Sequence, residues 1–178
     1  MNSKTTMTNK MIPFKHRSHR LSGEDIKNIL EKCRICFNIT SRGKHIYSIF
    51  EILSLVLPRS KKTAIIINTH DHWLSLLIFN NKFCLIVDSL NEVQNWPDVM
   101  TCISTFCKNN HLKMFLFKCK FQLDSTQICG SLVCYTIYKF SMLSFLGFLK
   151  LRETFSQNSI STNERAMMRK VHQHFKIK

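Results

Sequence analysis

Four residues, met in the order His72, Asp88, Gln122 and Cys129, are of the types that together could activate a thiol and stabilise an oxyanion. Cys129 opens the apolar run CGSLVCYTIYKF, where the start of a helix would present unpaired backbone N–H groups and favour thiolate over thiol. An imidazole beside that thiol would depress its pKa further, and a carboxylate behind the imidazole would fix the ring's tautomer. Gln122 stands 129 − 122 = 7 residues ahead of the cysteine, with an amide able to donate to an oxyanion together with the backbone N–H of Cys129. Gly130 removes a side chain from the next position, which would let a substrate approach closely.

His72 and Asp88 can meet only if the chain between them folds back in the right register. TAIIINT at 63–69, HWLSLLIF and KFCLIVDS read as three strands, the last two joined near Asn80-Asn81. The separation 88 − 72 = 16 is even, so direct opposition needs an odd loop, for example Phe79-Asn80-Asn81 with an asparagine in the left-handed region. A two-residue Asn80-Asn81 turn would instead set Ser89 opposite His72 and send Asp88 to the other face. Both pairings suit these residues.

Other elements follow from caps and periodicity. Ser22 caps a first helix with Glu24 and Asp25 in its first turn and Ile26, Ile29 and Leu30 on one face. Residues 34–58 give mixed signals, with an aliphatic run that Pro58 ends. Pro97 can begin a helix through DVMTCISTFCKNN, and HLKMFLFKCKFQL at 111–123 alternates as a strand with Gln122 at its end. From Gly130 to about Leu149 apolar residues occur all round, which predicts a helix buried in the domain. That run is nearly as long as a bilayer span, but Lys139 at its centre and four hydroxyl residues argue against a membrane helix.

The 178 residues, 44% hydrophobic, are enough for one domain, read as 21–178, preceded by a mobile basic arm over 1–20. A formal charge of +15 implies attraction to polyanions, nucleic acid first. The eight cysteines follow a polar, basic N-terminus with no secretory signal, which reads as a reduced, intracellular protein. Cys33 and Cys36 have the spacing of half a zinc site, but no second pair follows, so no metal is expected. Competing candidates are His70 for the base, Gln127 for the amide and Cys134, which reads as a small buried hydrophobe.

His72-Trp73, Asp88-Ser89, Gln122 and Cys129-Gly130, in that order, resemble the adenain-like cysteine proteases: the adenovirus maturation protease, its relatives in DNA viruses and virus-like transposons, and more distantly the SUMO-specific proteases. The resemblance runs from the helix near Leu21 to Leu149 and implies a papain-like α+β fold, its central helix carrying the nucleophile against a mixed sheet. It implies Cys129 as nucleophile, His72 as base, Asp88 as its partner, Gln122 in the oxyanion hole, and Trp73 beside the histidine, lining the substrate site with Gly130. The implied activity is a viral endopeptidase cleaving structural precursor proteins in the host nucleus or virion, with a ubiquitin- or SUMO-directed isopeptidase, or a lapsed module holding nucleic acid, as alternatives. No resident cofactor is expected, the adenovirus peptide cofactor is not carried over, and stimulation by DNA or a peptide is left open. Two departures stand out: only His70-Asp71 separates the first strand from His72, and no cysteine clearly matches the one that attaches the adenovirus peptide.

Overall fold

The computed structural model describes residues 20–32, 46–69 and 71–175. The elements are α1 (Gly23–Lys32), β1 (Ile46–Ser48), a 3-10 helix (Ile49–Ser54), β2 (Lys62–Thr69), β3 (His72–Phe79), β4 (Phe83–Val87), a 3-10 turn (Val93–Asn95), α2 (Pro97–Asn109), β5 (Lys113–Leu116), α3 (Cys129–Met142), α4 (Phe145–Gln157) and α5 (Ile160–Phe175). They form an α+β fold on one mixed sheet of order β1-β2-β3-β4-β5, antiparallel from β2 to β4 and parallel at both edges. Residues 1–19 of the expected basic arm, with Cys33, Cys36 and His70, lie outside the described residues.

Both faces of the three central strands β2, β3 and β4 are buried, so these strands read as near-continuous apolar runs. Ala64, Ile66, Leu77, Phe79, Leu85 and Val87 belong to the cluster shared with α1, α3, α4 and α5. Ile65, Ile67, Leu74, Leu76, Ile78 and Ile86 face the opposite way, against α2 and the Ile49–Ser54 helix. Leu74, Leu76 and Leu77 are fully buried, each contributing roughly 1.5–3 kcal/mol, and a one-residue slip would exchange the two sets. The register is therefore fixed by packing.

That register differs from both pairings considered above. Phe79 pairs with Phe83 and Ser75 with Val87, so the loop is Asn80-Asn81-Lys82, with Asn80 at φ 53° and Asn81 at φ 49°. The loop is odd, which keeps His72 and Asp88 on one face, but the register lies two residues from direct opposition. Asp88 follows the end of β4 and reaches His72 diagonally, a distance such side chains can span.

Two expected elements are shorter. β5 ends at Leu116: one further ladder bond runs from the Phe117 N–H to the Ile86 carbonyl, after which the Phe121 and Gln122 N–H groups both turn to the Ser89 carbonyl. Phe117, Cys119 and Phe121 still point into one cluster, which explains the alternation without a strand. Gln122 therefore sits in a loop. The helix expected to about Leu149 breaks after Met142, because Ser144 is extended and its hydroxyl accepts the Gly147 N–H as the cap of α4. Among the described residues no helix is long and apolar enough to cross a membrane.

Lys62, the first residue of β2, closes the broken end of α3. Its ammonium donates to the carbonyls of Phe140, Ser141 and Leu143 at 2.8, 3.1 and 2.9 Å, where the helix has no partners of its own. Replacing it by methionine, Lys62→Met, should lower stability by about 1–2 kcal/mol through loss of these charge-assisted bonds. Urea unfolding checks this, and an unchanged midpoint at equal m would refute it.

Candidate active site

The site lies where β3 begins, β4 ends and α3 begins. Antiparallel pairing brings the first two points to one end of the sheet, and α3, packed across that sheet, delivers its first turn there. His72 is the first residue of β3, Asp88 follows β4, and Cys129 is the first residue of α3. Each group thus stands at an element's end.

Asp88 is 2% exposed and fully partnered. Its Oδ1 accepts from His72 Nε2 at 2.8 Å and from the Leu90 N–H at 3.0 Å, while Oδ2 accepts the N–H groups of Glu92 and Val93 at 2.6 and 2.8 Å. The carboxylate thereby shapes the turn that leads into the Val93–Asn95 turn and α2. With Nε2 on Asp88, Nδ1 is the ring nitrogen left to serve the Cys129 thiol, whose side chain interacts with the imidazole.

Burial opposes the charge on all three groups, and their mutual contacts reverse its effect. For His72, burial works against the imidazolium, but the bonds and charges of Asp88 and Cys129 push its pKa up to about 9. For Cys129, burial raises the pKa, yet the hydrogen bond and charge of His72, with the N–H groups of Trp73 and Gly130, bring the thiol below its ordinary value. For Asp88, burial likewise raises, and the bond and charge of His72 with the Glu92 and Val93 N–H groups bring it below the usual carboxylate value. The arrangement favours a thiolate–imidazolium pair backed by a carboxylate.

The first turn of α3 adds donors. Ile128 at its N-cap supplies no side-chain cap, and the first intrahelical bond is from the Leu132 N–H to the Ile128 carbonyl. The N–H groups of Cys129 and its neighbours are therefore left to face the thiolate or an incoming carbonyl.

Gln122 is 2% exposed, and its amide is oriented at both ends. Its Nε2 donates to the Thr126 carbonyl at 2.7 Å, and its Oε1 accepts from the Ser89 hydroxyl at 2.5 Å. A carbonyl cannot donate, so the nitrogen must face Thr126, which leaves the second N–H of that nitrogen unused by this pair of bonds. Ser89 also holds the Gln122 backbone N–H on its carbonyl at 3.1 Å. The sequence presents Ser89 only as the neighbour of Asp88; its role as an anchor depends on the loop that follows β5.

Two expected wall residues have other positions. Trp73 alternates to the face opposite His72, is buried against α3, and donates its indole N–H to the Leu21 carbonyl at 3.0 Å. It packs behind the site. A Cβ at Gly130 would come within 2.9 Å of Leu21 Cβ, 3.3 Å of Ile26 Cδ1 and 3.4 Å of Trp73 Cδ1, so that glycine lets α1 approach α3 and does not open a path for substrate. The aromatic beside the histidine is Trp96, whose ring meets His72 edge-on at 5.8 Å and 69°. Nothing local in the sequence singles out Trp96, because the contact depends on the turn that Asp88 organises. Cys134 is fully buried in the core, as read. Among the described residues no cluster of His, Cys, Asp and Glu could hold a metal.

The two raised and lowered pKa values give opposite stability windows. His72, raised above 6.5, stabilises the fold fully below pH 6.5 and loses that contribution as pH rises through about 9. Asp88, lowered from 3.8, stabilises it above that pH and loses the contribution as pH falls through its folded value. Titration of His72 by NMR should therefore place its proton loss near pH 9 in the native protein and closer to 6.5 in Asp88→Asn. Equal values in both proteins would show that Asp88 does not hold the imidazolium.

No family model matches the chain. No curated protein matches it either. Among solved structures it is similar to one titled "Crystal structure of the de-sumoylating protease", at 16% identity and a TM-score of 0.42 over 85% of this chain and 68% of that one.

Proposed function

We propose that this chain is a cysteine peptidase working through an acyl-enzyme. The observation that carries the reading is the buried His72–Asp88 pair at 2.8 Å with Cys129, the first residue of a helix, close enough to the imidazole for each to shift the other's pKa. Thiolate sulfur attacks the scissile carbonyl carbon, and the carbonyl oxygen takes the charge against the Cys129 backbone N–H and the Gln122 amide. As the carbon–nitrogen bond breaks, the imidazolium gives its proton to the leaving amine. The neutral imidazole then takes a proton from water, whose oxygen attacks the thioester and releases the acid and the thiolate. Asp88 stays ionised throughout and stabilises the imidazolium.

Protein substrates follow from this chemistry. The resemblance to the adenain-like proteases supports viral structural precursors as their class and the host nucleus or virion as the place of action. The charge of +15 supports work beside DNA.

An alkylating electrophile such as iodoacetamide at pH 7, mapped by mass spectrometry, should modify Cys129 ahead of every other cysteine. His72→Ala should slow that reaction about tenfold or more, since an unassisted thiol is only a few per cent thiolate. Cys129→Ala should abolish peptide hydrolysis with the fold intact, and retained hydrolysis would refute the assignment.

Binding to a duplex oligonucleotide, followed by fluorescence anisotropy, should weaken linearly in log–log terms as salt rises, because each phosphate contact releases counterions. Affinity indifferent to salt would remove DNA from the proposal.

A further inference from the structure

We propose that Glu164 on α5 is a positioning residue for the oxyanion side of this site, a role that rests on the peptidase reading above. Its Oε2 accepts the Leu123 N–H at 2.8 Å and faces the Thr126 hydroxyl at 3.0 Å. These are the two ends of the turn closed by the Thr126 N–H on the Leu123 carbonyl at 3.1 Å. The single hydroxyl proton of Thr126 is shared between Glu164 and the Leu123 carbonyl, 2.9 Å away. The carbonyl of the same Thr126 receives Gln122 Nε2. A carboxylate 41 residues further along the chain thus holds the turn whose carbonyl aims the amide.

Helix α5 is a firm base for that contact. Asn163, 2% exposed, donates its amide to the Phe155 carbonyl at the end of α4 at 2.7 Å, and Met167 and Val171 are buried in the core beside α3. Glu164 follows Asn163 directly, so its backbone is fixed by the same packing. By contrast the turn at 123–126 belongs to no strand or helix, and its exposed Asp124 and Ser125 bury nothing that would fix it, Asp124 making only a surface ion pair with Lys120. The Glu164 carboxylate bonds to Leu123 and Thr126 rather than to the thiol or imidazole, so its influence should fall on turnover through an oxyanion and spare the nucleophile.

Two reagents separate these effects. Alkylation by iodoacetamide displaces iodide at a saturated carbon and forms no oxyanion. Acylation by 4-nitrophenyl acetate forms the sulfur–carbon bond through a tetrahedral oxyanion before 4-nitrophenolate leaves. In the full-length protein, Glu164→Ala should slow acylation of Cys129 about tenfold, a fraction of the effect of deleting an oxyanion donor outright, and leave alkylation within about twofold. Glu164→Gln, whose amide oxygen can still accept from both partners, should recover most of the acylation rate. Wild-type acylation in Glu164→Ala, or an equal loss of both reactions in Glu164→Ala and Glu164→Gln, would overturn the positioning role. If the wild type itself shows no preference for Cys129 with either reagent, the peptidase reading fails, and this inference fails with it.

Discussion

Asp88 carries a charge almost wholly removed from water, and such a charge persists only where hydrogen bonds replace its hydration. Three backbone N–H groups and one imidazole do so here. Because the N–H donors come from Leu90, Glu92 and Val93, the carboxylate dictates the path of the chain after β4, and through it the placement of Trp96 and the start of α2. Because the imidazole comes from the first residue of β3, the same carboxylate ties the beginning of one strand to the end of its neighbour. Removing the partner of a buried charge typically costs about 3–5 kcal/mol, which is more than any single side chain nearby contributes by burial. The fold around the site and the charge state within it therefore have one origin.

Much of this arrangement is legible in the sequence where a local rule governs it. The β-branched run at 63–69 marks β2, Ser22 caps the first helix as expected, its hydroxyl accepting the Asp25 N–H at 3.2 Å and donating to the Asp25 carboxylate at 2.7 Å, and Pro97 begins α2. Side-chain parity correctly required an odd loop for His72 and Asp88 to share a face. Parity fixes only the face, however, and the two-residue shift in register follows from which core side chains fit together. Alternation through Phe117, Cys119 and Phe121 predicted the buried side but overstated the strand, because those residues face the core while the backbone leaves the ladder.

The misplaced walls have a common physical cause. Trp73 is adjacent to His72 in sequence and therefore on the opposite side of the strand, so proximity along the chain separates the two rings. Gly130 is required by the approach of α1, a contact between segments far apart along the chain, and no pattern near position 130 carries it. Nor does any periodicity mark Glu164, because its partners are backbone and hydroxyl groups of a loop and not an apolar face. Sequence patterns report burial well, whereas polar anchoring across long separations has no period to read.

The dipeptide Asp88-Ser89 joins the two halves of the site. The Asp88 carboxylate holds His72, while the next residue's carbonyl receives the N–H groups of Phe121 and Gln122 and its hydroxyl meets the Gln122 amide. The candidate base and the candidate oxyanion donor are thus referred to the same point on the end of β4. Cys129 is referred instead to the start of β3, where the Trp73 N–H helps to lower its pKa, and to α3, whose far end Lys62 fastens to the start of β2. A displacement of β4 relative to β3 would carry His72's partner and Gln122 together, and would leave the thiol behind. The relative position of these two adjacent strands, fixed by the pairs from Ser75 with Val87 to Phe79 with Phe83, is consequently the dimension on which alignment of the whole site depends.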